Sequence, residues 1–358
     1  MKLNLSNRII LLTSIIVVIV AIGTGYTGLK MSTDATIKQT EEALLMAAEN
    51  GVDLIEAVME KELMTFEEMA ARERVQSMDW EIQKEALEQD VERLGYIDIG
   101  VMTPDGKTRY ILDEDEIAIL GDRTYTQKAL KGESNVSDVL ISRVTNQPVF
   151  MYAVPIKSED EILGVLLGRK DAAAFSNITN QMGYGEGGYA FILNNDGTTY
   201  AHPDAERVLN QENLLTATEE DGDLVNVGKA FSELGMGNAG VINYEFSGGR
   251  RYMGVAPLRS TEWVLAIGAI ESEVLGHINS LKTSIFIGFV VFLLLGIGAS
   301  LYMGRSISRP IVSLSEILER LADYDLSYDE TSEAAKYLER HDEIGDIANS
   351  IVKCRRTL

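Results

Sequence analysis

Cysteine is nearly absent from this sequence of 358 residues, since Cys354 is the only one. An intramolecular disulfide is therefore excluded, and stability must come from packing. Cations are also scarce, with 32 Lys and Arg against 55 Asp and Glu and a net charge of −23. Because a nucleic-acid-binding surface needs clustered cations, nucleic acid is not an expected partner. Neither an H-E-x-x-H nor a G-x-S-x-G motif occurs, so the common zinc-protease and serine-hydrolase patterns are missing.

Two long stretches contain no charged residue. Residues 9–29 and 283–304 run for 21 and 22 residues respectively. About 20 residues at a rise of 1.5 Å each span the hydrocarbon core of a bilayer, so both stretches predict transmembrane helices. A cleaved signal peptide is the alternative for the first stretch, but its length and the lack of a clear cleavage site favour a retained anchor.

The cations that flank these spans predict the orientation of the chain in the membrane. Lys2 and Arg8 precede the first span, and Arg305 and Arg309 follow the second. Positive charge favours the cytoplasmic side, which predicts a multi-pass plasma-membrane protein with both termini in the cytoplasm. The expected segments are a cytoplasmic N-terminus at 1–8, transmembrane helices at 9–29 and 283–304, an extracytoplasmic region at 30–282 and a cytoplasmic segment at 305–358.

The extracytoplasmic region begins with a long predicted helix over residues 33–75, a stretch without proline. Apolar residues recur there at steps of three and four, which places them on one helix face. We interpret this stripe as core that packs against a sheet. Its members are Ile37, Leu44, Ala48, Val52, Ile55, Met59, Leu63, Phe66 and Met69.

Two similar series of predicted strands and short helices follow, over residues 96–172 and 183–270. In each series a hairpin strand runs into a proline, Pro155 or Pro257, and a strand rich in Val, Leu and Ile comes next. Two α/β segments of the same order after one helix indicate a divergent internal repeat. The expected fold class is α+β.

The stretch "MGYGEGGYAF" between the series raises a nucleotide-binding alternative, because Gly183, Gly185 and Gly188 spell G-x-G-x-x-G. That motif binds a dinucleotide when a strand precedes it and a helix follows. Here a helical pattern precedes and a strand–turn–strand pattern follows, so we interpret the glycines as a helix end. His202 and Asp204 follow in the predicted hairpin, but two ligands do not make a metal site, and no metal or cofactor is expected.

The whole arrangement resembles the double Cache extracytoplasmic sensor domain of bacterial chemoreceptors. The resemblance rests on residues 121–172, on "GYGEGGYAFILNNDGTTYAHPD" (183–204) and on "RRYMGVAPLRSTEWVLAIGAIESEVL" (251–275). It implies a long helix followed by two tandem PAS-like antiparallel-sheet subdomains, membrane-distal over 96–172 and membrane-proximal over 183–270. In this family the membrane-distal subdomain usually holds the ligand.

Polar side chains of the membrane-distal subdomain are therefore the candidate ligand-binding residues, because a pocket for a small polar molecule needs donors and acceptors on an apolar sheet. Amino-acid-sensing members share a pattern similar to R-x-W-Y-x-x-A. Arg123 and Ala129 match its first and last positions, whereas Tyr125 and Thr126 replace Trp and Tyr. The candidates are Tyr110, Arg123, Tyr125, Ser142, Arg143, Tyr152 and Arg169.

The charge of these candidates indicates the kind of ligand. Ser142 and Arg169 stand near the positions where the family has acidic residues, so carboxylates that would accept an α-ammonium group are expected to be missing. Arginines bind carboxylates and phosphates bidentately, which favours an anionic metabolite over an amino acid or an amine. The alternative is that Arg143 and Arg169 are solvated surface residues. Arg123→Ala is expected to abolish binding of an anion.

The segment after the second span contains two short heptad patterns joined by a polar connector. Pro310 opens the first, "DEIGDIA" (342–348) opens the second, and the segment resembles a HAMP linker. Such helices cannot bury their seams alone, so a homodimeric four-helix bundle is expected. The seam positions are Ile311, Leu314, Leu318, Leu321, Ile344, Ile347, Ile351 and Cys354.

These features predict a chemotaxis-type transmembrane receptor, not an enzyme, that senses a small ligand outside the cell and relays it to the HAMP-like linker. The resemblance implies a signalling hairpin, a kinase or a cyclase after such a linker, and none is expected within residues 305–358. Three alternatives remain open. They are the sensor portion of a histidine kinase or cyclase, an anchored extracytoplasmic hydrolase with a carboxylate pair, and an adaptor that binds a protein.

Overall fold

The computed structural model describes residues 5–113, 117–143, 147–159, 161–323 and 336–357. The chain divides into two compact units. We call residues 36–276 the sheet unit, and residues 1–35 together with 277–358 the helical unit.

Eleven α-helices and twelve strands form the described part of the chain. The helices are α1 (Leu5–Ala70), α2 (Glu73–Gln76), α3 (Trp80–Arg93), α4 (Thr124–Ala129), α5 (Ala173–Thr179), α6 (Ala205–Leu209), α7 (Leu224–Leu234), α8 (Glu271–Val274), α9 (Gly276–Met303), α10 (Arg309–Ala322) and α11 (Glu343–Thr357). The strands are β1 (Asp98–Met102), β2 (Lys107–Tyr110), β3 (Ile117–Ile119), β4 (Asn135–Val136), β5 (Leu140–Ile141), β6 (Pro148–Ser158), β7 (Glu161–Asp171), β8 (Ala190–Asn194), β9 (Thr199–Ala201), β10 (Gly240–Phe246), β11 (Gly249–Pro257) and β12 (Trp263–Ile270).

Most of the long predicted helix lies within α1, but α1 ends at Ala70, and residues 73–75 belong to the separate short helix α2. Arg72 interrupts the helix, since its backbone is extended, with φ −65° and ψ 132°. Its guanidinium donates to Asp90 Oδ2 at 2.5 Å and to Ala86 O at 3.2 Å, both in α3. These contacts fix the reversal of the chain into α3.

The first sheet has seven antiparallel strands in the order β3-β2-β1-β7-β6-β4, and β5 pairs with the same edge of β6 as β4 does. The long hairpin β6–β7 forms its centre, and residues 148–156 are buried throughout. Both faces of these strands must therefore be covered. Phe150, Tyr152 and Val154 point to the α1 side, and Val149, Met151 and Ala153 point to the opposite side, towards α4.

The apolar stripe on α1 packs against this sheet, as the sequence predicts. Seven of its nine members are buried, and Ile37 and Leu63 are partly buried. Gly168 in β7 allows a close approach, because a Cβ at this position would lie 2.7 Å from Phe66 Cε1. The helix thus sits closer to the strands than a larger residue in β7 would permit.

The second sheet has five antiparallel strands in the order β10-β11-β12-β8-β9. The same helix α1 also covers one of its faces, where Leu44 and Ala48 share a core with Leu265 and Ile267 of β12. At Gly254 in β11 the contact involves backbone directly, because an added Cβ would collide with the Leu44 carbonyl. The two tandem sheets and their shared helix confirm the predicted α+β fold.

The glycine-rich stretch lies between the sheets, with the surroundings that the sequence predicts. Helix α5 precedes it and strand β8 follows it. Gly185 has a positive φ of 76°. The order is the reverse of a dinucleotide-binding loop, which needs a strand before and a helix after the glycines.

A hydrogen bond joins the two sheets within the sheet unit. Trp263 in β12 is fully buried, and its indole Nε1 donates to Asp138 Oδ1 at 3.0 Å. The indole also packs edge-on against Phe175 of α5 at 5.0 Å and Tyr200 of β9 at 5.4 Å. These contacts connect the segment between β4 and β5 to the second sheet.

The helical unit contains the two apolar stretches. Two helical segments, Asn7–Ala70 and Lys282–Ala322, are long and apolar enough to cross a bilayer. The N-terminal part of α1 packs closely on α9, because a Cβ at Gly296 would lie 2.7 Å from Val17 Cγ1. The hydroxyl groups of Thr13 and Ser300 are hydrogen-bonded at 2.7 Å. Small residues and a polar contact of this kind are typical of packed membrane helices.

Helices α10 and α11 share a small core in which Leu314, Ile344 and Ile351 are buried. Other predicted seam residues, Ile311 and Leu318, are 41% and 47% exposed in the single chain. A turn of π-helix, Gly304–Ser308, joins α9 to α10. The polar connector of the predicted linker falls largely on residues 324–335, which lie outside the described part of the chain.

Candidate ligand-binding site

One face of the first sheet packs on α1, and the other carries most of the candidate residues. Strand alternation brings Asp98, Thr108, Tyr110 and Arg169 to this second face, because Met102 of β1 and Leu167 of β7 share its core. Helix α4 lies over the same face and contributes Tyr125 and Ala129 to that core. Alternating residues of neighbouring strands thus make a largely apolar surface with a few polar groups.

Tyr110, Arg123, Tyr125 and Arg169 come together on this face. The Arg169 guanidinium carbon lies 4.4 Å from the centre of the Tyr110 ring, a cation–π distance. Burial raises the pKa of both tyrosines, and for Tyr125 the pKa is about 12, although Arg123 and Arg143 oppose the rise. Both phenols are therefore neutral hydrogen-bond donors at physiological pH.

Several buried donors on this face have no hydrogen-bond partner in the described part of the chain. They are Arg123 Nε, both Nε and Nη1 of Arg169, and the Thr108 hydroxyl. Buried polar atoms are nearly always paired, so a cluster of unpaired ones needs an explanation. Since the two guanidiniums only donate, any molecule that pairs with them must offer acceptor atoms.

Asp98 is the charged residue of this face that the sequence argument missed. Its side chain is 1% exposed, and Oδ2 lies 3.7 Å from Arg169 Nη2. Oδ1 accepts from the backbone N–H of Ile99 at 2.8 Å and of Leu112 at 3.1 Å. Burial raises the pKa of Asp98, although these hydrogen bonds and Arg169 oppose the rise.

The expectation that carboxylates are missing from this region is therefore wrong. The signal was present in "YIDIGVM", where an aspartate stands inside an otherwise apolar strand and in step with Met102. A buried charge in such a position is costly unless it has a partner, which here is Arg169. Asp98 compensates part of the charge of the site.

Arg143 and Ser142 lie at the edge of this face. Arg143 is exposed, and its guanidinium donates to Asp122 Oδ2 at 3.0 Å and to the Ile119 carbonyl at 3.1 Å. Ser142 is buried, and its backbone N–H donates to the Gln147 carbonyl at 2.9 Å. The Arg143 side chain is thus bound to the segment from Ile119 to Asp122 at the edge of this face, and Asp122 compensates its charge.

Tyr152 is not brought to the other candidates. It belongs to the face of β6 that packs on α1, where its ring lies 6.2 Å from Phe66 and 6.1 Å from Tyr96. The sequence groups Tyr152 with residues of the opposite face because strand alternation alone does not say which face α1 covers. Its position in the core is explained by packing.

A polar groove of about 630 Å³ adjoins α4 on the outside of the site. Arg123 and Tyr125 line it together with Lys128, Asp138 and Arg259. Arg123 therefore lies between this groove and the buried face that carries Arg169. Of the residues with unpaired buried donors, Arg123 is the one that lines this groove.

Comparisons with known proteins agree with this architecture. A family model described as a Cache domain matches residues 30–278. The methyl-accepting chemotaxis protein PctB of Pseudomonas aeruginosa is 21% identical over 204 residues, which cover 55% of this chain and 30% of PctB. The chain thus matches less than a third of the length of that relative.

Solved ligand-binding domains of chemoreceptors have a similar fold. The domain of CtaA from Pseudomonas fluorescens, in complex with L-serine, gives a TM-score of 0.53 at 17% identity and covers 66% of this chain and 99% of its own. The PctB domain with L-Arg gives 0.53 at 19% identity, with coverages of 66% and 97%. The sensory domain of Tlp3 from Campylobacter jejuni gives 0.52 at 13%, with 68% and 99%. At such identities the likeness is one of fold.

Proposed function

Since the chain belongs to the Cache domain family, we propose that it is a transmembrane sensor that binds a small organic anion on the second face of its first sheet. The observation that carries this proposal is the cluster of buried donors without partners on Arg123, Arg169 and Thr108. A carboxylate offers about four acceptor sites to such donors, and two guanidiniums can hold it bidentately.

The charge balance of the face supports a single negative charge on the ligand. Arg123 forms no ion pair within the described ranges, and Arg169 shares its charge with Asp98. Arg143 is compensated by Asp122 at the rim. Two cations against one buried carboxylate leave one positive charge, which a monocarboxylate would neutralise.

An α-amino acid is the second candidate, and Asp98 is the observation that favours it. The pair between Asp98 and Arg169 is loose at 3.7 Å, so an ammonium group could share this carboxylate. The CtaA and PctB domains are described in complex with L-serine and L-Arg. Against this candidate, both Asp98 oxygens already accept backbone N–H groups.

Matched ligand pairs separate the two candidates. Lactate and L-alanine, glycerate and L-serine, and 2-hydroxyisocaproate and L-leucine differ only in hydroxyl against ammonium. Thermal unfolding of the full chain in lipid nanodiscs measures binding, because a ligand at 100 times its Kd stabilises by about 2.7 kcal/mol. For a domain of this size that corresponds to roughly 5–10 °C.

We expect the hydroxy acids to raise the melting temperature and the amino acids to leave it unchanged. Arg123→Met should abolish the shift, and Arg109→Met is the matched control, because Arg109 is exposed beside Tyr110 on the other side of β2. If only the amino acids raise the melting temperature, and Asp98→Asn abolishes that rise, then the ligand is an amino acid and not a simple anion. No shift with any of the six compounds would overturn the proposed site.

The relay in this proposal runs through α1, which extends from Leu5 to Ala70 and contacts both sheets. A ligand can shift the conformational equilibrium of the receptor only if it binds one of two conformations more tightly than the other. We assign the sheet unit to the outside of the plasma membrane, both termini to the cytoplasm, and α10 and α11 to a HAMP-like bundle. The exposed seam residues Ile311 and Leu318 would be covered there by a second copy of the chain.

We assign no enzymatic activity to the chain. The relatives that it matches are described as a chemotaxis protein and as ligand-binding domains. The hydrolase alternative has no support in the site, since the carboxylate of Asp98 is used by backbone donors and by Arg169.

A further inference from the structure

The second sheet carries a cavity of its own, with a volume of about 330 Å³. It lies on the face opposite α1, where Phe191 of β8, Tyr244 of β10 and Val227 of α7 share a core. Its described lining also includes Tyr189, His202 and Arg251. The walls are mainly aromatic and aliphatic, which is typical of a small-molecule site.

Arg251 brings an uncompensated positive charge into this cavity. Its guanidinium carbon lies 5.6 Å from the centre of the Tyr189 ring and 5.2 Å from that of Phe246. Its Nε is buried without a hydrogen-bond partner, and it forms no ion pair with any residue that the structure describes. The neighbouring Arg250, in contrast, is exposed and lies 3.5 Å from Glu245.

The second cation of the lining, Arg207, is already paired. Its Nη1 donates to Glu212 Oε2 at 2.9 Å, and its Nε lies 3.7 Å from Asp204 Oδ2. Asp204 is the single acidic residue in the described lining, and its Oδ1 accepts the backbone N–H of Glu206. The charge without a partner is therefore that of Arg251.

His202, which lines the same cavity, supplies a neutral donor. Its Nδ1 accepts the backbone N–H of Asp204 at 2.9 Å, so the proton of the neutral ring is on Nε2. Burial, together with Arg207, lowers the pKa of His202 to about 4. The ring centre lies 5.8 Å from those of Tyr189 and Phe191, which places the ring against the aromatic wall.

We propose that this cavity is a second ligand site, which binds a small monocarboxylate with an apolar body. The carboxylate would accept from the Arg251 guanidinium and from His202 Nε2, and the apolar body would pack on Phe191 and Tyr244. An amine is disfavoured because Arg251 already occupies the ring faces that would attract a cation. An inorganic phosphate is disfavoured because one free arginine among aromatic walls cannot replace its hydration.

Isothermal titration of the full chain in nanodiscs tests the site, with benzoate, phenylacetate and isovalerate as probes. Acetate lacks the apolar body, and benzylamine has the opposite charge. We expect at least one of the three probes to bind, and acetate and benzylamine to bind at least tenfold more weakly. Arg251→Met should weaken binding by about 10- to 100-fold, because a charge-assisted hydrogen bond is lost. Arg250→Met is the matched control and should change nothing.

Two further variants keep the test decisive. His202→Phe retains an aromatic ring but removes the Nε2 donor, so it should weaken binding several-fold even if Arg251→Met folds poorly. Arg123→Met, at the N-terminus of α4 over the first sheet, should leave this binding unchanged, which separates the two sites. The inference is overturned if none of the three acids binds, if benzylamine binds more tightly than they do, or if only Arg123→Met abolishes binding.

Discussion

Gly254→Ala tests whether α1 is seated on the second sheet by direct backbone contact. Gly254 lies in β11, and an added Cβ would collide with the carbonyl of Leu44 and lie 2.6 Å from Leu45 N. These atoms belong to the helix backbone, so no side-chain rotation can relieve the collision. The helix or the strand must move by roughly 1–1.5 Å to restore ordinary contact distances of about 3.5 Å.

The size of the effect follows from the packing around this contact. Overpacking a well-packed core typically costs about 1–3 kcal/mol. We expect the upper end, about 3 kcal/mol, because Leu44 and Ala48 are fully buried on the same face and would separate from Leu265. For a domain of this size that corresponds to a fall of roughly 6–12 °C in the melting temperature.

Gly249→Ala is the matched control in the same strand. Nothing lies within 4 Å of a Cβ at this position, and its φ is not in the left-handed region. The control should be neutral or stabilise by up to about 1 kcal/mol through the unfolded chain. Circular dichroism melts of the two variants in nanodiscs provide the comparison. Equal melting temperatures would refute the close backbone contact between Gly254 and Leu44.

Three further predictions concern other contacts. Because the pKa of His202 is depressed to about 4, its contribution to stability is present above pH 6.5 and is lost as the pH falls towards 4. The loss of unfolding free energy is at most about 3 kcal/mol before solvent screening. Denaturation midpoints measured against pH should fall less steeply between pH 6.5 and 4 in His202→Gln than in the unsubstituted protein. Asp138→Ala should cost about 1–2 kcal/mol because it leaves the Trp263 indole N–H unpaired, whereas Asp138→Asn keeps an acceptor and should cost less; equal melting temperatures would contradict this. Ser300→Ala removes the hydroxyl contact with Thr13. A double-mutant cycle with Thr13→Val in bicelles should give a coupling free energy of about 0.6 kcal/mol, and additive effects of the two substitutions on stability would contradict this.

Patterns that depend on local spacing were predictable from the sequence. The stripe from Ile37 to Met69 has helical spacing and is buried as expected. The glycine-rich stretch after α5 was separated from a nucleotide-binding loop by the order of its neighbours. Both predictions use residues that are close in the sequence. At that range the periodicity of apolar residues and the residue types that favour turns largely determine the local structure.

The composition of the first site was only partly predictable, because it depends on pairing between distant strands. Arg169 and Asp98 are neighbours only because β1 pairs with β7 across the sheet. Tyr152 and Met151 alternate in the same strand, and the sequence does not say which of them faces α1. The cavity of the second sheet was missed for the same reason, since Arg250 and Arg251 differ only in the face to which they point.

The contact between the two sheets around Trp263 also gives the protein an intrinsic fluorescent reporter. The chain has two tryptophans. Trp263 is fully buried between Phe175 and Tyr200, whereas Trp80 is half-buried beside Arg109. In a Trp80→Phe variant the remaining tryptophan fluorescence would come from Trp263 alone. Its emission wavelength would depend on the hydrogen bond to Asp138 and on how well water is excluded from the indole. Ligand-induced motion between the two sheets could then be followed by fluorescence without any attached dye.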